Sequence, residues 1–108
     1  MTEFREPTYL AMVALASEPL HGYGIIKEVR RLSRGRSDMK AGTLYALLDR
    51  LETDGLVQVD REEVVDGRLR RYYDLTKEGT AVLADESLHR SATSREALRR
   101  LRIAGVPT

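Results

Sequence analysis

The sequence predicts a mainly α fold that carries one small β-hairpin and ends in a long helix. Three observations carry that expectation. Apolar residues recur at helical spacing in successive stretches up to Leu51. A valine-rich run, Val57 to Val65, meets a return strand through Asp66-Gly67, a strong signal for a two-residue hairpin turn. Beyond Thr76, one helical stretch can continue to about Ile103.

The first helix is expected over Thr8 to Ala16, "TYLAMVALA". The stretch is bounded by Pro7 and Pro19, and Ala, Leu and Met favour helix over strand. Ser17, Glu18, Pro19 and Leu20 then make a turn. In "HGYGIIKEVRRLSRG", Ile25, Val29 and Leu32 repeat on one face, widened by Ile26, while Lys27, Arg30, Arg31 and Arg34 lie off it. Gly35 is the expected stop. Gly22 and Gly24 suit a helix start that another backbone approaches closely.

The third helix, in "GTLYALLDRLETDGL", places Leu44, Leu47, Leu48 and Leu51 on one stripe. Gly42, Ala46, Asp49, Arg50 and Thr53 run along the opposite side, with Thr43 and Tyr45 on the flanks. Gly55 ends the helix and Leu56 packs back on Leu51. Val57–Val65 and Arg68–Leu75 are the hairpin strands, with Leu69, Tyr73 and Leu75 as inward candidates. Thr76 caps the fourth helix and Glu78 suits its first turn. Gly105 and Pro107 end it. At roughly 27 residues it would be about 40 Å long, more than the preceding domain can cover.

Composition narrows the function classes. The chain has 108 residues, enough for one small domain with a thin core, and no cysteine, which excludes disulfides and thiolate chemistry. No apolar run approaches the ~20 residues of a membrane span, and the first residues lack the apolar stretch of a signal peptide, so a cytoplasmic protein without membrane contact is expected. His21 and His89 have no partner cluster, so no metal or other cofactor is expected; His21 reads as a helix-start residue. No catalytic motif or phosphate-binding glycine loop favours an enzyme. The net charge is only +1, yet the distribution is uneven. Lys27 to Lys40 holds six basic residues against two acidic, and Ala41 to Asp66 seven acidic against two basic.

Three compact helices followed by a basic-tipped hairpin match a winged helix-turn-helix, whose third helix enters the major groove and whose wing follows the DNA backbone or minor groove. The leucine stripe then anchors the third helix, and its small, polar side meets the base edges. Phosphate contacts are expected from Lys27, Lys40, Arg68, Arg70 and Arg71, together with backbone N–H groups near Gly22. Gly42, Thr43, Tyr45, Ala46 and Arg50 are the candidates at the groove; Asp49, further from the tip, either orients an arginine or disfavours wrong sequences. Tyr45 has an alternative role as a structural bridge between helix and hairpin, and Tyr72 and Tyr73 read as packing at the wing base.

"GTLYALLDRLETDGLV", "DGRLRRYYDLT", "KEG" and "LHGYGI" at residues 20–25, in this order and spacing, resemble the PadR family of bacterial transcriptional regulators. The resemblance covers residues 8–83, about. It implies a homodimeric winged helix-turn-helix protein that binds double-stranded operator DNA, usually a repressor, often relieved by a small-molecule effector. The single C-terminal helix resembles the family's shorter branch. One departure is that Lys40-Ala41 stands where members often have Ser-Pro, and Ala46 where they often have Pro. The missing Ser removes a helix cap, and Lys40 becomes a phosphate candidate.

The expected organisation is a DNA-binding domain over residues 1–76 and a dimerisation helix over 77–108, associating through Val82, Leu83, Leu88, Leu98 and Leu101. Two rivals remain at the level of sequence. One is a winged-helix protein-interaction adaptor that no longer binds DNA. The other is a small-molecule sensor whose pocket lies at the dimer interface, lined by Tyr9, Met12 and the fourth helix.

Overall fold

A computed structural model describes residues 4–103. Its elements are α1 (Glu6–Ala14), β1 (Leu20–His21), α2 (Gly22–Leu32), α3 (Ala41–Thr53), β2 (Val57–Val65), β3 (Arg68–Leu75) and α4 (Lys77–Arg100). The three helices before the hairpin close over a core that includes Met12, Leu15, Ile25, Val29, Leu44 and Leu48. Removing a leucine such as Leu48 wholly from water contributes roughly 2 kcal/mol of transfer free energy. The winged helix-turn-helix expected from the sequence is the fold observed.

The helix α1 begins earlier than expected because Pro7 lies inside its first turn, where a missing N–H costs nothing. Leu20 is not a turn residue. Leu20 and His21 pair antiparallel with Tyr73 and Tyr72, making a three-stranded sheet of order β1-β3-β2. A two-residue strand has no periodicity to read, and its partner lies some fifty residues away in the chain.

The end of α3 follows the sequence closely. Gly55 takes φ +75, its N–H donates to the Glu52 carbonyl, and the Leu56 N–H donates to Leu51. This is the doubly bonded left-handed cap that brings Leu56 back onto the core. At the hairpin turn, Asp66 and Gly67 have φ of 52° and 75°, as the tightest two-residue turn requires. A register shift between Val59 and Arg61 leaves Asp60 bulged. Tyr73 is buried and Leu75 half-buried, but Leu69 is 62% exposed and does not point into a core. The hairpin has by then run past the helices that would cover it.

Thr76 ties α4 to the domain from both sides. Its hydroxyl donates to the Gly55 carbonyl (2.6 Å) and accepts from the Gly79 N–H (2.9 Å). Gly79 and Leu83 are buried against the core, and α4 then runs on to Arg100, three residues short of expectation. The residues expected to stop it, Gly105 and Pro107, lie outside the described residues. The projecting helix gives extents of 55 × 27 × 21 Å. Among the described residues no helix is long and apolar enough to cross a membrane.

Candidate nucleic-acid interface

The sequence divides α3 into two faces, and the fold keeps the division. Leu44, Leu47, Leu48 and Leu51 are buried, while Gly42, Thr43, Ala46, Asp49, Arg50 and Thr53 are exposed. A Cβ added at Gly42 would meet nothing within 4 Å, so the tip of the helix is slim and open. Lys40 occupies the N-cap without a side-chain hydrogen bond. The first amides of α3 therefore keep their partial positive charge toward solvent.

Tyr45 leans from this tip toward α2 and lines a cleft shared with the hairpin. It is 48% exposed, and its phenol lies against Gly22 at the start of α2. An ideal Cβ on Gly22 would stand 2.5 Å from the Tyr45 Oη. The close approach that the sequence demanded at Gly22 is thus made by a ring, not by another backbone. Gly24 has only ordinary contacts. Beside this pair, a cleft of about 560 Å³ opens between the helices and the wing, lined by His21, Tyr23, Tyr45, Arg68 and Arg70 among others. It forms because β1 ends at His21, opposite Tyr72, and leaves the edge of β3 open beyond that point.

His21 is one of the residues that line the cleft. Its Nδ1 accepts from the Gly24 N–H (3.2 Å), so the neutral ring caps α2. The ring stacks on Tyr23 and meets Tyr72 edge-on. Burial lowers its pKa, and the nearby charges of Arg70 and Lys27 lower it further. This arrangement was half-legible in "HGYG", which marks a helix start but not its neighbours on β3.

Charge pairing separates the basic candidates. Among the described residues, Lys27, Lys40, Arg50, Arg68 and Arg70 have no carboxylate within ion-pair distance. The ladder sets Glu63 opposite Arg70, yet Arg61 holds that carboxylate at 2.8 Å and Asp60 at 3.0 Å. The Arg61 hydrogen bond accordingly keeps Glu63 below the usual carboxylate range. Arg71 differs: its side chain alternates to the other face of the wing from Arg68 and Arg70, where Glu62 lies 3.6 Å away. Asp49 makes no ion pair with Arg50 among the described residues.

The five apolar residues expected to make a dimer do not form one stripe. Leu83 is 7% exposed and Val82 packs beside it against this chain's own core. Leu88, 73% exposed, projects about 140° away from Leu83 around the helix. Leu98 is half-buried and Leu101 exposed. Tyr9 and Met12, envisaged as lining a sensor pocket at the dimer interface, both make contacts within the chain. Met12 is wholly buried, the Tyr9 hydroxyl shares a hydrogen bond with Ser87 (2.9 Å), and the Arg90 guanidinium covers the Tyr9 ring at 3.9 Å.

Residues 11–85 match the family described as "Transcriptional regulator PadR-like family". The chain is 41% identical over 83 residues to the transcriptional regulator Rv3488 of Mycobacterium tuberculosis, a span covering 77% of this chain and 74% of that protein. A PadR family transcription regulator from Clostridium difficile has the same fold, with TM-score 0.72 and 26% identity over 92% of this chain and all of that one. Bacillus subtilis PadR, solved in complex with operator DNA, also shares the fold (TM-score 0.66, 23% identity), over 75% of this chain and 47% of that one.

Proposed function

The chain belongs to the PadR-like family of transcriptional regulators, and from that premise we propose that it regulates transcription by binding a DNA operator sequence-specifically as a homodimer. The family comprises regulators of transcription rather than enzymes. One observation carries the DNA-binding reading: cations without carboxylate partners surround a slim, exposed helix face whose other side is anchored by leucines. The operator complex of the Bacillus subtilis protein supports it by likeness of fold.

In this reading the tip of α3 enters the major groove. Gly42, Thr43 and Ala46 approach the base edges closely, Arg50 reaches along the groove, and Tyr45 lines its side. Lys27, Lys40, Arg68 and Arg70 hold flanking phosphates. Arg71 contributes less, because Glu62 offsets its charge. In this proposal DNA binding belongs to residues 1–76 and dimerisation to residues 77–108, through α4. The dimer contacts are carried by Leu88, Leu98 and Leu101, which spread around α4 rather than sharing one stripe, with Val82 and Leu83 rooting α4 in its own domain. Repression, relieved by a small-molecule effector, follows from the family resemblance, and a cytoplasmic location fits that role.

Selection of bound duplexes from a random library tests the function class and delivers the operator together. Recovery of one enriched motif with twofold symmetry is the expected result. A protein that enriches no sequence, and is retained instead on another protein in pull-downs, is the adaptor. Light scattering of a chain stopped after Asp85 tests the dimer: an intact dimer without the rest of α4 overturns that assignment.

A further inference from the structure

We propose that Gly22 is a positioning residue for DNA recognition: its missing side chain is the seat that holds the Tyr45 phenol down in the cleft and keeps the tip of α3 slim. The geometry is specific. A Cβ at residue 22 would stand 2.5 Å from the Tyr45 Oη and 2.9 Å from Cζ, inside any real contact distance. The obstructed atoms are the far end of a side chain on a half-exposed residue, so the ring yields rather than the backbone. Gly22 has no left-handed φ, so a side chain there is obstructed by space and not by conformation.

The consequence falls on the neighbouring face. Gly42 and Ala46 both lie to one side of Tyr45 around the helix, and both are exposed with little side chain. A ring expelled from its seat swings over them and thickens the part of α3 that must fit between the groove walls. Gly22 therefore acts through Tyr45 and touches no DNA itself in this role. A sequence pattern alone would assign Gly22 to helix-start geometry. The structure separates it from Gly24, whose added Cβ would make only ordinary contacts at 3.6 Å with Leu20 and His21.

The inference rests on the DNA-binding reading above, and the experiment separates the two. The probe is a duplex recovered by selection with the wild-type protein. Gly22→Ala should weaken binding about tenfold, the scale of coupling between residues in contact, while Gly24→Ala changes it by less than about twofold. In a Tyr45→Ala background, Gly22→Ala should cost less than about twofold, because nothing remains to be displaced. Where Tyr45→Ala binds too weakly to titrate, Tyr45→Phe serves, and the penalty should shrink because the nearest atom is gone. A purely structural role for Gly22 predicts equal losses in every background, and that result overturns the proposal. So does Gly22→Ala binding with wild-type affinity. A nuclear Overhauser contact between the Tyr45 ring and the Gly22 Hα reports the seat without DNA, and its absence in wild type also overturns the proposal. Failure of the wild-type protein to select any duplex instead sinks the DNA reading, and with it the functional half of this inference.

Discussion

The basic residues on α4 and those around α3 keep different company. Arg90 bonds Glu6 (2.5 Å), Glu86 (2.8 Å) and the Phe4 carbonyl (2.9 Å), and covers the Tyr9 ring. Arg99 and Arg100 share Glu96. Around α3 and the cleft, Lys27, Lys40, Arg50, Arg68 and Arg70 have no carboxylate within ion-pair distance among the described residues, though Lys27 lies over the Tyr23 ring. A cation already beside a carboxylate has much of its potential cancelled, whereas one without an ion-pair partner keeps more of it for a phosphate. Arg90 orients a helix; the free set shapes a field. Changes on the α4 side should therefore be read in stability, and changes on the α3 side in DNA affinity.

The largest effect tests the first half of that division. Gly79 begins the buried side of α4, and a Cβ there would be driven into the backbone carbonyl of Leu56. Unlike a ring end, a backbone segment between a helix cap and a strand cannot step aside. Gly79→Ala should destabilise the protein by about 3 kcal/mol, the upper range for overpacking a filled site. Urea unfolding measures it. The folded fraction should still bind the selected duplex normally, and lost affinity without lost stability would break the division.

Ala46→Glu is the converse. Its side chain points away from the leucine stripe, so stability should change by no more than about 0.5 kcal/mol. Operator binding should be abolished, because a carboxylate meets the phosphate field and the acceptor-rich groove edge. Thermal melting and fluorescence anisotropy on one purified variant give both readings. Normal affinity in a well-folded Ala46→Glu protein would put a different face of the molecule on DNA.

The two halves differed in how far the sequence announced them. Helix periodicity placed the leucine stripe, and local turn chemistry placed Gly55, Asp66-Gly67 and the Thr76 cap, since each of these depends on neighbours in the chain. The strand at Leu20 depends on Tyr73, and the fate of Leu69 on where the helices stop covering the hairpin. Pairing of charges is equally nonlocal. "RLRR" reads as three equal arginines, but β alternation sends Arg71 to the face that Glu62 occupies. On α4, what the sequence left open was which apolar residues the chain's own core takes up: Leu83 is buried there and Leu88 is exposed.

That contrast within the wing gives a smaller, sharper test. Arg70→Ala should weaken binding to all duplexes by similar factors and reduce the slope of log K against log salt by ~0.9, the value of one lost phosphate contact. Arg71→Ala should change the slope by less, because Glu62 already engages Arg71 and leaves it little phosphate contact to lose. Equal slopes for the two variants would show that Glu62 releases Arg71 on binding, and a loss confined to one base position would show direct base reading.

The smallest effect belongs to His21, which touches both halves. Lys27 and Tyr23 reach it from α2, Arg70 and Tyr72 from β3, and the Arg61 guanidinium of β2 lies over the Tyr72 ring. Its pKa lies below the ordinary 6.5, first through burial and then through Arg70 and Lys27. The unfolded chain therefore binds this proton more readily than the folded one. The associated stability is complete above pH 6.5 and declines as pH falls through that value toward the lower folded pKa. Protonation at Nδ1 also removes the acceptor for the Gly24 N–H. His21→Asn keeps a capping group that does not titrate, so the decline should be shallower in that variant. Bound DNA reverses the sign. A phosphate held by Arg70 and Lys27 offsets their charge and favours the imidazolium, so affinity should rise as pH falls through the range in which stability declines. Parallel melting and anisotropy titrations between pH 7.5 and 5.5, chosen as about one unit either side of the ordinary histidine value, read the two slopes. Opposite slopes, both flattened by His21→Asn, place a phosphate beside the cleft. If affinity and stability fall together, the free cations of the cleft are not where the DNA backbone lies.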